Sequence, residues 1–184
     1  MKLNNKRTIL VGLAFLSICA FWQMYDSVVP LILTQTFHMN ETFSGAIMAA
    51  DNILALFLLP FFGSLSDRSH SKIGKRMPFI LFGTGCAVIL MNILPLLDNS
   101  YAAQPSGLKT ASFVIVLGLL LVTMGTYRSP AVALMPDVTP KPLRSRANAI
   151  INLMGAVGGI LYLGVAAVLY PNSKTAGLDH VNYQ

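Results

Sequence analysis

The sequence predicts an all-α integral membrane protein of five transmembrane helices with its amino terminus inside the cell, and three observations lead there. Hydrophobic residues make up 54% of the chain and charged residues 11%, with a mean hydropathy of +0.64. An ordinary soluble domain is about 25% charged. Five apolar runs are each long enough for a bilayer core, which takes about 20 helical residues. Basic residues gather at alternate ends of those runs, as a serpentine chain requires, because Lys and Arg in short links stay on the inner side.

The first run spans residues 8–33 and follows Lys2, Lys6 and Arg7. Lys6-Arg7 ahead of Leu16-Ser17-Ile18-Cys19 mimics a lipoprotein signal. Ile18 is not the small residue such a cleavage site takes, and the apolar run continues to Leu33, so the segment is expected to be a retained helix. The link carrying His38 and Glu41 has little positive charge and is expected outside. The second run, 43–65, contains Asp51-Asn52, and the third covers 78–97. Between these two, Arg68, Lys72, Lys75 and Arg76 against the single acid Asp67 mark an inner turn. Gly63 and Gly74 allow tight backbone and close helix approach there, and Pro78 suits the first turn of the third helix. An outer link with Asp98 and Lys109 leads to the fourth run, 110–135. Lys141, Arg144 and Arg146 mark an inner link before the fifth run, 147–170, whose tail is expected outside.

Several function classes are disfavoured at this stage. The net charge of +6 does not point to nucleic acid, because the basic residues sit at run ends rather than on one patch. Cys19 and Cys86 fall inside apolar runs and read as packing residues, without the clustered neighbours of a metal site. No G-x-S-x-G, H-E-x-x-H or paired-Cys motif is present, so no enzyme chemistry or cofactor is expected. His38, His70 and His180 all fall in links or the tail, and none supports a proton relay.

The inner turn reads G-x-L-S-D-R-x5-G-K-R-x-P from Gly63 to Pro78. That pattern resembles the loop between the second and third helices of the major facilitator superfamily, a class of secondary transporters. A second stretch, Tyr127-Arg128-Ser129-Pro130 through Met135-Pro136-Asp137-Val138-Thr139, then Arg144-Ser145-Arg146-Ala147-Asn148-Ala149, resembles the junction of helices four and five in sucrose-proton symporter relatives. Asp51-Asn52 fits the same wider group, the glycoside, pentoside and hexuronide cation symporters. The Tyr25-Asp26-x-x-x-Pro30 segment departs from that pattern, since relatives often carry Asn where this chain has Asp26.

The resemblance implies a partial amino-terminal transmembrane half, residues 1–184, with the sixth helix and the whole carboxy-terminal half absent. It implies a multi-pass protein of the cell membrane, embedded in the lipid bilayer. Its work would be symport of a sugar or glycoside with H+ or Na+ by alternating access between two halves. The alternative is a truncated, non-transporting membrane remnant or scaffold. Cytoplasmic gate contacts favouring one conformer would fall to Gly63, Asp67, Arg68, Gly74, Lys75 and Arg76, with Asp137, Arg144 and Arg146.

The binding chemistry is expected where charge is held within an apolar run against its preference, which directs attention to Asp26, Asp51 and Arg128. Centred on its run at 1.5 Å per residue, Asp26 lies roughly 8 Å and Asp51 roughly 5 Å outward of the midplane, with Arg128 roughly 8 Å inward. Side chains lean toward the helix amino terminus, drawing Asp26 inward and Arg128 outward. Gln23, Asp26, Ser27 and Pro30 recur at helical spacing with Trp22 one turn from Asp26. Such a stripe offers hydrogen-bonding groups for hydroxyls and an aromatic face for the apolar side of a sugar ring. The resemblance puts Asp26 and Arg128 on the two helices that line the superfamily's central cavity. Either carboxylate, or Arg128, has a bundle-holding alternative in which it pairs with another polar group. On the fifth helix, Asn148, Asn152, Gly155 and Gly159 read as a packing face, with Asn152 also within reach of substrate.

Overall fold

The computed structural model describes residues 5–171 and 180–183, with the side chains of residues 5–7 and Asp51 outside that description. Five long helices follow one another: α1 (Asn5–Leu31), α2 (Glu41–Arg68), α3 (Met77–Ala103), α4 (Gly107–Val138) and α5 (Arg144–Leu169). All five are long and apolar enough to cross a membrane, and no strand occurs among the described residues. Helices are the expected solution because hydrocarbon offers the backbone no hydrogen-bond partner outside the segment. They are longer than the apolar runs, since a run ends where the bilayer core does, whereas the backbone bonds of the helix continue into the interface. The 27 residues of α3 would reach about 40 Å, beyond a hydrocarbon core of about 30 Å.

Local chemistry sets the ends. A π-helical turn, Ile32–Thr36, prolongs α1 two residues after the internal Pro30. At the start of α2, Asn40 Oδ1 accepts from the Thr42 amide at 3.3 Å, and Glu41 adds a negative charge to the first turn. Gly74, at φ +108°, occupies the left-handed region that turns the α2–α3 loop, and Pro78 sits in the first turn of α3. The far end of α3 is closed by Lys109, whose Nζ donates to the carbonyls of Ser100 at 2.7 Å and Gln104 at 3.0 Å. A short 3-10 turn, Lys141–Leu143, joins α4 to α5.

The chain forms two units, Met1–Ser27 with Pro130–Ala176, and Val28–Ser129 with Gly177–Gln184. In the first, α1 packs on α5 through glycine. A Cβ on Gly158 would meet the backbone carbonyl of Leu16, one on Gly155 would come within 2.8 Å of Cys19 Sγ, and one on Gly12 would meet Met154 Sδ. The core of this unit joins Met135, Ala147 and Ile151, with Val11 and Phe15 against them. Ala147, Ile151, Gly155 and Gly158 therefore form the buried stripe of α5. The packing face expected from sequence is rotated accordingly: Gly155 belongs to it and Gly158 replaces Gly159, while Asn148 and Asn152 are exposed. Among the described residues neither asparagine side chain makes a hydrogen bond, so close backbone approach, not amide pairing, binds these helices.

In the second unit α4 is the common neighbour. A Cβ on Gly83 would lie 2.9 Å from Tyr127 Cβ, one on Gly125 3.2 Å from Leu58, and one on Gly63 2.9 Å from Ser129 Oγ. Phe113 of α4, Leu117, Leu120 and Met124 are buried with Leu94 and Met91 of α3. Phe37, just past the π-helical turn, stacks on Tyr101 at 4.3 Å and meets Phe113 at 4.7 Å between ring centres.

Candidate functional site

The α2–α3 loop is the tightest charge assembly. Ser66, wholly buried, donates its hydroxyl to the Gly63 carbonyl at 2.8 Å and accepts from Arg76 Nη1 at 3.3 Å. Arg76 Nη2 pairs with Asp67 Oδ1 at 2.8 Å, and Lys75 Nζ reaches the same oxygen at 3.5 Å. Arg76 is 7% exposed and Asp67 53%. A carboxylate in the last turn of a helix faces the negative end of the dipole, so Asp67 is held there by the two cations across the loop. The sequence made this assembly possible by putting Ser66-Asp67 at a helix end and folding Lys75-Arg76 back over it at Gly74. Arg68 is exposed and makes no ion pair among the described residues.

Gln23, Asp26 and Ser27 lie on α1, with Trp22 one turn before Asp26. Ser27 Oγ donates to the Gln23 carbonyl at 2.7 Å and lies 3.4 Å from Gln23 Nε2. Trp22 and Tyr25 meet edge to face at 5.9 Å, Tyr25 being wholly buried and Trp22 half-buried. Asp26, one residue on, is exposed. One side of α1 thus carries an exposed carboxylate beside a half-buried amide, hydroxyl and indole. Asp51 lies in α2, but its side chain falls outside the described residues. Arg128 is half-buried on α4, next to the buried Tyr127. Asp26 belongs to the first unit and Arg128 to the second, and each is described only within its own.

At the α4–α5 junction, Arg144 Nε donates to the Thr139 carbonyl at 3.3 Å, so it caps the end of α4 in addition to starting α5. Thr139 is itself buried, its hydroxyl 3.5 Å from Met135 Sδ. Met135, Pro136, Arg144, Ser145 and Asn148 line an open cleft of about 350 Å³. Asp137 and Arg146 are exposed beside it, and Arg146 makes no ion pair among the described residues.

Two residues were invisible as a pair in the sequence. By composition the apolar run ends at Leu97, so Asp98 reads as part of an outer link. Instead α3 continues through it and buries it completely, beside His180 from the far end of the chain. The available signal was weak: Asp98 falls one helical turn after the core residue Leu94.

A family model described as Major Facilitator Superfamily matches residues 11–175. Among curated proteins, the chain is 34% identical over 145 residues to sucrose transport protein SUC3 of Arabidopsis thaliana, covering 72% of this chain. It is 30% identical over 141 residues to sucrose transport protein SUT3 of Oryza sativa subsp. indica, covering 69% of this chain. An alpha-ketoglutarate permease of Escherichia coli is 26% identical over 179 residues, covering 96% of this chain. The chain spans 24%, 28% and 38% of these three relatives respectively. No solved structure matches it.

Proposed function

The chain belongs to the Major Facilitator Superfamily, and from that premise we propose that it supplies the first five helices of a secondary transporter moving a sugar or glycoside together with H+ or Na+. It is a multi-pass membrane protein, and the proposed site of action is the cell membrane. The observation that carries the substrate class is the likeness to plant sucrose transport proteins, at 34% and 30% identity. The stripe of Trp22, Gln23, Asp26 and Ser27 supports it, because a sugar needs both hydroxyl partners and an aromatic face. In the complete transporter the two halves would rock about a site near the bilayer midplane, opening it alternately to either side. Asp26 is the first candidate for the coupling carboxylate and Asp51 the second. Arg128 would orient the substrate's acceptor groups, with Asn152 at the edge of the site.

The orientation proposed is amino terminus inside, with the α2–α3 and α4–α5 links in the cytoplasm. Arg68, Lys72, Lys75 and Arg76 in the first link and Lys141, Arg144 and Arg146 in the second support it. A reporter fused after Ser71 is expected to behave as cytoplasmic and one fused after Pro105 as external. The same compartment for both would defeat this topology.

Uptake of a panel of labelled sugars, with 2-oxoglutarate included, by proteoliposomes of the complete gene product tests the function. Saturable sugar uptake driven by a proton or sodium gradient is the expected result. Uptake of the dicarboxylate alone would move the substrate class, and no uptake at all would favour the non-transporting remnant. In the same assay Asp67→Asn probes the loop as a gate. Asp67 is half exposed, so losing its bond to Arg76 is worth about 1 kcal/mol, enough to change a two-conformer ratio by about fivefold. Transport is expected to fall several-fold with insertion spared, and an unchanged rate would reduce the motif to a topology signal.

A further inference from the structure

Asp98 is wholly buried in the last turns of α3, with the Thr36 hydroxyl beside it, and among the described residues neither of its carboxylate oxygens has a partner within hydrogen-bond distance. His180 faces it, with Nδ1 3.8 Å from Oδ2. The same nitrogen lies 3.2 Å from Thr36 Oγ1, which the π-helical turn brings to this point. The other ring nitrogen, Nε2, is 2.9 Å from Asn99 Oδ1, and Asn99 Nδ2 donates to Asn182 Oδ1 at 3.1 Å. That second bond turns the Asn99 oxygen toward the ring. An amide oxygen only accepts, so Nε2 must carry a hydrogen, and a further proton on the ring goes to Nδ1, the nitrogen facing Asp98 and Thr36.

We propose that Asp98 and His180 bind one proton between them, at a site separate from the α1 stripe, and that this proton holds the segment 180–183 onto the ends of α3 and the π-helical turn. With the proton present, the pair is either an imidazolium beside a carboxylate or two neutral groups, and both leave no net charge buried. Without it, Asp98 is a buried carboxylate facing a neutral ring, which a protein interior strongly disfavours. Release of the segment admits water to Asp98. The covering is thin: His180 is 26% exposed, whereas Val181 beside it is 7% exposed. Solution therefore reaches the ring while the segment still seals the carboxylate.

The other groups at this end do not substitute for the pair. Lys109 of α4 is engaged by the Ser100 and Gln104 carbonyls, and Tyr101 is stacked on Phe37. The π-helical turn brings no charged residue, while His38 and Glu41 follow it in the sequence. Asp179, next to His180 in the sequence, lies outside the described residues. Arg76 and Asp98 are separated along α3 by about 33 Å, so the latch senses the solution on the membrane side opposite the α2–α3 loop.

The full chain in lipid nanodiscs provides the test. Val181→Cys is labelled with a membrane-impermeant maleimide at pH 5.5 and 8.5, and its rate is divided by that of Ser106→Cys, an exposed position in the α3–α4 link, with the parent chain's native cysteines as background. The division removes the intrinsic pH dependence of thiol labelling. The ratio is expected to be low at pH 5.5, where the proton is held, and to rise at least tenfold at pH 8.5. Asp98→Asn keeps the size and removes the charge, so its ratio should stay low at both pH values. His180→Asn, which cannot take up the proton, should also lose the change between them. A ratio constant within twofold in the chain with native Asp98 and His180 overturns the proposal without recourse to either variant. So does the same rise persisting in Asp98→Asn or in His180→Asn.

Discussion

Asp26→Asn in the complete transporter is expected to abolish uphill accumulation, so that the inside-to-outside substrate ratio falls to unity while exchange or downhill flux survives. Asp26 is an acid held within an apolar run, where an ionisable group is retained for a reason. In α1 it is exposed, on the same stretch of helix as the Gln23–Ser27 bond and the Trp22 ring. Asn preserves the shape and hydrogen-bonding reach of the side chain and removes only its ability to titrate or hold a cation. Binding geometry survives and coupling does not. The measurement is accumulation of labelled sugar in proteoliposomes under an imposed gradient, alongside counterflow with no gradient. If the variant still concentrates its substrate with the same ion dependence, Asp26 is not the coupling group and Asp51 takes its place. Loss of counterflow together with accumulation would instead assign Asp26 to substrate binding.

Gly158→Ala is expected to destabilise the α1–α5 contact by about 1 to 3 kcal/mol, the range found when a well-packed interface is overfilled. Alanine has the better intrinsic helix propensity, by up to about 1 kcal/mol, so the sign is decided by what the new methyl meets. At Gly158 it meets the backbone carbonyl of Leu16, and backbone cannot rotate aside as a side chain can. The two helices must separate, and their dispersion contacts weaken along the whole crossing. Gly159→Ala is the control, because its methyl would lie 3.6 Å from the flexible end of Gln23, an ordinary contact. It should be neutral or slightly stabilising. Unfolding of the two variants in mixed micelles, followed by helical signal against denaturing detergent, compares them directly. Equal midpoints would show that α1 and α5 do not depend on close approach at this position.

These two substitutions differ in how far the amino-acid order alone leads to them. The five spans, their links and the charge alternation could be read directly, because membrane insertion responds to local hydropathy and local charge. The Asp67 assembly was nearly as legible. Its partners lie within ten residues of one another, and Gly74 and Pro78 leave the loop few ways to turn. The stripe on α1 needed only helical periodicity, since Gln23 and Ser27 bond within a single turn. The contact face of α5 was not available in the same way. A helix in lipid is apolar on its lipid side and on its bundle side alike, so no polar face reveals which side is which. The choice of Gly158 over Gly159 came from the close approach of α1. Asp98 and His180 lie still further from any local signal, 82 residues apart by number, and neither position is unusual where it stands. Their meeting depends on the π-helical turn, on the continuation of α3 past its apolar run, and on the return of the segment 180–183. Those are consequences of packing in three dimensions, where a buried charge selects its partner by distance in space and not by position along the chain.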